Sequence, residues 1–341
     1  MTRAFHLSQQ GYPAPNPHVG CVIVKDREVV GEGYHDHAGG PHAEIVALQQ
    51  AGEKARGAKV YVTLEPCNHT GRTGPCSQAL IEAGVASVII ATPDPNPKAT
   101  GGAQALRRAG IEVEEGYMDE VTRSANRRFL TAMKRGWPYV EAKVAMSLDG
   151  RVALPNGESK WITGEVARNV GHQLRAECGA VLVGRKTVQR DDPHLTARID
   201  GVVNQPARII IDPHSALTRR ENVFDDAAPT WHVVKQPLHE NQIRAPYHDD
   251  HLDLKALLKD FFDRGQTSIL VEGGPITIGH LLKQNLIDRL NIFMAPKTLG
   301  AGPSWIQEEI ASLNDAQQFK LIFTRPLDGG DLWLGYRPTP A

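Results

Sequence analysis

Two α/β domains in succession are the fold class this sequence predicts, and three observations lead there. Strand-like apolar runs alternate with helical periodicity along most of the chain. That alternation breaks at Gly136-Trp137-Pro138, where glycine and proline end the periodicity, and restarts beyond it. The 341 residues are enough for two ordinary domains, each with its own core. The boundary is therefore set after Pro138, giving domains of 1–138 and 139–341.

In the first domain a short N-terminal helix is expected over 2–10. The β-branched run around Cys21 predicts a strand over 19–25, with Cys21 packed inside it, and 29–34 reads as a second strand. Helical spacing follows over 42–55, then a strand over 59–64 and a helix over 78–83 that Cys76 opens. A strand over 87–92, a helix over 102–109, a strand over 111–116 and a helix over 120–134 carry the chain to the boundary. The second domain begins with a strand over 139–146 and a helix over 166–177. Strands follow over 180–184, 208–212 and 231–235. A helix over 254–264, a strand over 268–272, a helix over 277–283 and a strand over 290–295 complete the pattern. Residues 237–253, rich in His and Asp, read as a solvated connection rather than a second metal site through His239, His248 and His251.

Composition narrows the partners. Hydrophobic residues make up 41% of the chain, as in a globular protein. No run approaches the roughly 18 apolar residues of a membrane span, and residues 1–6 lack the apolar stretch of a signal peptide. No membrane partner and a cytoplasmic location are expected. The 38 Lys+Arg and 39 Asp+Glu leave a net charge of −1, and neither half carries the basic excess of a polyanion-binding surface. A small-molecule substrate is favoured over nucleic acid. The cysteines, Cys21, Cys67, Cys76 and Cys178, are too few for a disulfide scaffold; Cys178 reads as a helix-end core residue.

The chemistry concentrates in His42-Ala43-Glu44, followed by Pro66-Cys67 and then Cys76. One imidazole and two thiolates suit a Zn²⁺ ion, one per chain. Three protein ligands leave the fourth corner of the tetrahedron to water, the catalytic rather than the structural arrangement. Glu44 is then the general acid/base that takes the water's proton and delivers it to the ring and the departing ammonia. This order is the signature of zinc base deaminases, in which two residues separate the cysteines. Here residues 68–75 separate them, a loop that places His69 and Arg72 to overhang the metal and read a substrate. A zinc-stabilised binding module, the rival from another class, would need a fourth protein ligand and would leave Glu44 without a task.

A second chemistry is weaker on its own terms. Val271-Glu272-Gly273-Gly274-Pro275 ends a strand, turns through two glycines and opens a helix, an arrangement that presents backbone N–H groups to a pyrophosphate. Taken alone, such a turn is more commonly a tight connection. Gly184-Arg185-Lys186-Thr187 is another turn of the kind, with cations that face either a phosphate or solvent.

Further motifs run the length of the chain. The first half holds Asn16-Pro17-His18-Val19-Gly20, Glu65-Pro66-Cys67-Asn68-His69-Thr70-Gly71-Arg72 and Asp94-Pro95-Asn96-Pro97. The second holds Lys143, Ser147-Leu148-Asp149-Gly150-Arg151, Gly157-Glu158-Ser159, Trp161-Ile162-Thr163, Thr187-Val188, Asp191-Asp192-Pro193 and Leu195-Thr196. With them the sequence resembles, end to end, the bifunctional deaminase/reductase family of riboflavin biosynthesis, in which the long loop between the cysteines is itself a feature.

The resemblance implies a cytidine-deaminase-like three-layer domain followed by a dihydrofolate-reductase-like α/β domain. The first would hydrolyse the 2-amino group of a phosphoribosylaminopyrimidine, and the second would reduce its ribosyl arm to ribityl with NADPH. It implies substrate contacts from Asn16, His69, Ser159, Arg175, Leu195, Arg198 and Glu272. Cofactor contacts would come from Ala145, Trp161, Thr187, Asp191, Gly274, Pro275, Ile276, Thr277, Ile278, Gly279 and His280. Arg175 and Arg198 suit a phosphate by their bidentate geometry, and a homo-oligomer is expected. Asp191 and Glu272 are both candidates for the proton donor, with Asp191 equally suited to capping the turn before Pro193. Arg185 and Lys186 are candidate partners for the cofactor's 2′-phosphate. Departures from the family pattern are a short N-terminal helix, Gly74 in place of a proline, and Pro213 where a small polar cofactor contact often sits.

Overall fold

The computed structural model describes residues 1–69, 74–249, 251–307 and 309–339. They form two compact units: Met1–Gly136 with Gly201–Asn204, and Trp137–Asp200 with Gln205–Ala341. Among the described residues no helix is long and apolar enough to cross a membrane.

The first unit starts with α1 (Thr2–Ser8) and is built on a five-stranded sheet of order β2-β1-β3-β4-β5. Strands β1 (Gly20–Lys25) and β2 (Glu28–Tyr34) form a hairpin through Asp26 and Arg27, both at positive φ, the pairing that matches strand twist. Next to β1 runs β3 (Lys59–Leu64), antiparallel to it, and then β4 (Ser87–Thr92) and β5 (Glu112–Glu115) in parallel. One sheet face buries Cys21, Ile23, Val60, Val62, Val88 and Ile90 against α2 (Ala43–Ala51), α3 (Cys76–Ala83) and α4 (Gly102–Arg108). The other face receives α1 so closely that a Cβ on Gly20 would lie 1.9 Å from the Ala4 carbonyl oxygen. Helix, sheet and helix make the three layers the sequence predicts.

Two expected helices differ. The α-helix expected over 42–55 ends at Ala51, and its last turn, Gly52–Ala55, tightens to a 3₁₀ helix. The helix expected over 120–134 is two, α5 (Asp119–Ala125) and α6 (Arg127–Arg135), separated at Asn126. Asn126 is buried; its Oδ1 accepts from the His18 N–H at 2.7 Å and its Nδ2 donates to the His18 carbonyl at 2.8 Å. That long-range clamp fixes a backbone conformation outside the helical range.

The second unit holds a nine-stranded sheet of order β10-β9-β8-β7-β13-β6-β14-β16-β15. In chain order its elements are β6 (Tyr139–Ser147), α7 (Glu165–Ala176), β7 (Ala180–Gly184), α8 (Arg185–Asp191), β8 (Ala207–Ile211), β9 (Thr230–Val234) and β10 (Gln242–Arg244). A small hairpin, β11 (Tyr247–His248) and β12 (His251–Leu252), precedes α9 (Leu254–Asp263), β13 (Ser268–Val271), α10 (Pro275–Lys283) and β14 (Arg289–Ala295). The chain ends in β15 (Phe319–Pro326) and β16 (Leu332–Pro338), and β16 pairs antiparallel with both β15 and β14. From β10 to β14 every pairing is parallel, so the strands' carboxyl ends share one edge, where α/β sheets bind ligands. Helices α9 and α10 cover one face, burying Leu257, Phe261, Ile278 and Leu281. Val188 of α8 and Leu174 of α7 join the cluster on the other.

Here the sequence reading falls short in three places. Arg185 to Asp191 is a helix that the expected element order does not include. The 237–253 connection contains β10, β11 and β12, of two or three residues each. The terminal hairpin has no expected counterpart: Leu321 and Ile322, adjacent in β15, are both exposed, so period-2 alternation is lost.

Candidate active sites

In the first unit, three elements deliver one cluster. His42 is the N-cap of α2. Cys67 lies just beyond β3, and Cys76 is the first residue of α3. The ligand atoms of His42, Cys67 and Cys76 all lie within 4.8 Å of one another. His42 Nδ1 is 3.2 Å from Cys76 Sγ and 3.6 Å from Cys67 Sγ. Zinc–sulfur and zinc–nitrogen bond lengths place tetrahedral ligand atoms about 3.5 Å apart, so the donor set fits the ion. The Cys76 N–H also points at Cys67 Sγ, at 3.4 Å.

Electrostatics give the same answer. The Cys76 thiol's hydrogen bond, with help from His42, holds Cys67 down at about 4 against burial, and the same hydrogen bond with burial pushes Cys76 up. Metal binding requires both sulfurs as thiolates and would release their protons. Glu44, in the first turn of α2, is 3% exposed, and burial raises its carboxyl to about 6 against the charge of His42. A carboxyl poised there suits proton transfer near neutrality.

The loop carrying Cys67 is pinned by Glu65, whose carboxylate accepts from the N–H groups of Gly101 and Ala103 at 3.1 Å each and of Asp94 at 3.2 Å. His69 is exposed, and burial raises the carboxyl of nearby Asp94 to about 6. Arg72 lies outside the described residues. Asn16 donates from Nδ2 to His35 Nε2 at 3.0 Å, and His35 Nδ1 donates to the Pro41 carbonyl at 3.0 Å. The His35 ring meets that of His42 edge-on, with centroids 5.3 Å apart. Sequence reasoning missed His35; a buried histidine closing β2 carries no local signal.

The second unit holds a cavity of about 870 Å³ at the carboxyl edge of its sheet, the size of a cofactor site. Of the second-domain substrate and cofactor contacts that the resemblance implies, all but Gly279 line it; Gly279 is buried within α10. Gly184 and Gly273 both approach Thr277: an added Cβ would lie 3.0 Å from its Oγ1 and 2.8 Å from its Cβ, respectively. The turn after β13 is thus drawn tight against the end of β7. Eight Lys or Arg side chains line the cavity against three Asp or Glu, which fits the phosphates of NADPH and of a phosphorylated substrate.

Arg175 lines the cavity and is tied to Glu272. Its Nε and Nη2 donate to the two carboxylate oxygens of Glu272, at 2.5 and 3.0 Å, and its Nη1 to the Thr196 carbonyl at 2.9 Å. Most of its fork is committed to Glu272, and Arg198 is the better placed of the two for a phosphate. Burial alone would raise Glu272; Arg175, Lys143 and His172 hold it down at about 2. Lys143, lining the cavity from β6, has its ammonium pKa lowered by burial and Arg175 against the pull of Glu272. Asp191 lines the cavity, while the neighbouring Asp192 ties the turn by accepting from the Asn222 N–H at 2.8 Å and Nδ2 at 2.9 Å.

Comparisons with known proteins join the two sites. Residues 1–92 match the cytidine and deoxycytidylate deaminase zinc-binding region, and residues 138–325 match the RibD C-terminal domain. The riboflavin biosynthesis protein RibD of Escherichia coli is 43% identical over 343 residues, covering 94% of each chain. The chain belongs to the RibD family. The RibD of Aquifex aeolicus is 45% identical over 306 residues, covering 87% of this chain and 85% of its own. A structure of Acinetobacter baumannii RibD superposes with a TM-score of 0.91 at 39% identity, covering 99% of this chain and 97% of that one. A Thermotoga maritima structure, described as a diaminohydroxyphosphoribosylaminopyrimidine deaminase and 5-amino-6-(5-phosphoribosylamino)uracil reductase, gives 0.88 at 34% identity, covering 99% and 97%. As a RibD-family protein this chain is a bifunctional enzyme of riboflavin biosynthesis, a zinc-dependent deaminase joined to an NADPH-dependent reductase. Its fold pairs a cytidine-deaminase-like domain with the RibD reductase domain.

Proposed function

We propose that the first site deaminates 2,5-diamino-6-(5-phosphoribosylamino)pyrimidin-4-one and that the second reduces the ribosyl arm of its product to give 5-amino-6-(5-phosphoribitylamino)uracil. The observation that carries the first step is a buried Glu44 beside the converged His42, Cys67 and Cys76. When bound, zinc supplies the Lewis acidity that makes water a nucleophile near neutral pH. His42, Cys67 and Cys76 would hold it; Glu44 would carry the attacking water's first proton to the ring nitrogen as the hydroxyl adds, and its second to the amino group as the C–N bond breaks and ammonia leaves. Asn16, oriented by His35, reads the pyrimidine edge, and His69 reaches over it from the loop.

In the second site NADPH supplies the hydride. Glu272, fixed by Arg175, receives hydrogen bonds from the substrate, and Arg198 takes its phosphate. Lys143 is the better proton donor: Glu272 is ionised at neutral pH and has no proton to give, whereas an ammonium eased toward neutrality does. The reductase residues named from the sequence form the walls that orient the ring and the sugar. The functional boundary is placed at 138/139, and the enzyme is read as a cytoplasmic homo-oligomer acting on a small molecule. The test is Glu44→Gln. Zinc content and NADPH oxidation on the deaminated intermediate should persist while ammonia release falls at least about 10²-fold; native-rate ammonia release would refute the assignment.

A further inference from the structure

We propose that His172 is a positioning residue of the reductase step: its ring holds the backbone of Arg198, so that the guanidinium stands ready for the substrate's phosphate. The role rests on the reading above, in which Arg198 takes that phosphate. Arg198 lines the cavity from an exposed position. A long side chain there has many rotamers to lose on binding, so its aim depends on how firmly its backbone is held. Residues 195–198 belong to no helix or strand, Leu195 has a φ of 55°, and Leu195, Thr196 and Ala197 are buried. Buried backbone groups need partners, and here side chains supply them. Gln205 takes both polar groups of Ala197: its Oε1 accepts from the N–H at 2.7 Å and its Nε2 donates to the carbonyl at 3.1 Å. Arg175 Nη1 donates to the Thr196 carbonyl at 2.9 Å, and the Arg198 N–H donates to His172 Nδ1 at 3.3 Å.

His172 and Arg175 are three positions apart in α7 and share one face of it, so a single helix grips the segment twice. The imidazole can do this in one state. Its Nδ1 also lies 3.2 Å from the Thr196 carbonyl oxygen. An unprotonated Nδ1 accepts from the Arg198 N–H; a protonated one would turn its hydrogen to Thr196 and set a donor against that N–H. Burial, then Arg175 and Arg198, lower the ring's pKa to about 4 against the pull of the Thr196 carbonyl and Glu272, which keeps it neutral at pH 7. Of the two neutral tautomers, the Arg198 N–H selects the one with its proton on Nε2. Neutral His172 thus adds no charge to the phosphate site and acts through the residue it holds.

The experiment follows NADPH oxidation by the full-length protein on 5-amino-6-(5-phosphoribosylamino)uracil, together with the dissociation constant of NADPH by nucleotide fluorescence. His172→Phe fills the place of the ring without an acceptor. It should raise the KM for the phosphorylated substrate about tenfold, the size of one lost hydrogen bond, while kcat and NADPH affinity stay within about twofold. His172→Asn, whose amide oxygen can stand where Nδ1 stood, should recover most of the KM. In an Arg198→Ala background His172→Phe should add less than about twofold, because the side chain it aims is gone. An unchanged KM in His172→Phe, a full effect that persists without the Arg198 side chain, no recovery in His172→Asn, or lost NADPH binding would each overturn the positioning role. A wild-type protein that oxidises no NADPH would instead overturn the reductase reading on which that role stands.

Discussion

Glu272 and Arg175 show how much a single pair can decide. Their side chains are 11% and 14% exposed, and two parallel N–H···O contacts join them. Holding a carboxyl at about 2 instead of 4.5 corresponds to roughly 3 kcal/mol of favourable interaction. That agrees with the loss of about 3–5 kcal/mol when one member of a buried pair is removed. Because the folded pKa is depressed, the contribution is complete above pH 4.5 and disappears as pH falls toward 2. Thermal unfolding of the wild type and of Glu272→Gln should therefore differ most at neutral pH, with the gap closing below about pH 4.5. A gap that stays constant down to pH 3 contradicts this. His172 works in the same range: burial, then Arg175 and Arg198, lower its pKa to about 4, so it is neutral at pH 7 and opposes folding as pH falls from 6.5 to 4.

At the scale of elements, placement matters more than propensity. Asn126 splits what local periodicity reads as one helix, because its amide has a better use in clamping both backbone groups of His18. His18 lies two residues from Asn16, so the clamp also steadies the chain that carries a candidate substrate contact. Asn126→Ala would remove two hydrogen bonds to the part-buried backbone of His18, at a cost of about 1–3 kcal/mol. Chemical denaturation of the deaminase unit should show it, and a change below about 0.5 kcal/mol would mean the clamp is dispensable. The metal cluster follows the same logic: a helix cap, a strand exit and a helix start converge because the parallel β3–β4 pair and its flanking helices bring those ends together.

For the molecule as a whole, net charge conceals the distribution that matters. A chain of net charge −1 lines one cavity with cations far in excess of carboxylates, which concentrates positive potential where two phosphorylated ligands would meet. The near-neutral halves give no hint of this focus. The placement of the boundary predicts a separable first activity. A chain ending at residue 138 should release ammonia from the pyrimidine substrate and oxidise no NADPH; loss of both activities would show that the deaminase depends on the rest of the chain.

The sequence by itself determined the α/β class, the histidine and two cysteines that converge on a site fit for zinc, and, through motifs spread end to end, the family. These are legible because period-2 and period-3.6 burial are local, and because metal chemistry demands particular side chains in a fixed order. Only the tertiary structure decided that Arg175 is tied to Glu272, that His35 orients Asn16, that Asp212 is sealed beneath Arg185, and that Asn126 breaks a helix. Each of these depends on partners 19 to 108 positions away in the chain. The energy of a buried hydrogen bond or ion pair is set by the exclusion of water from the folded interior, and no local reading of the chain contains it.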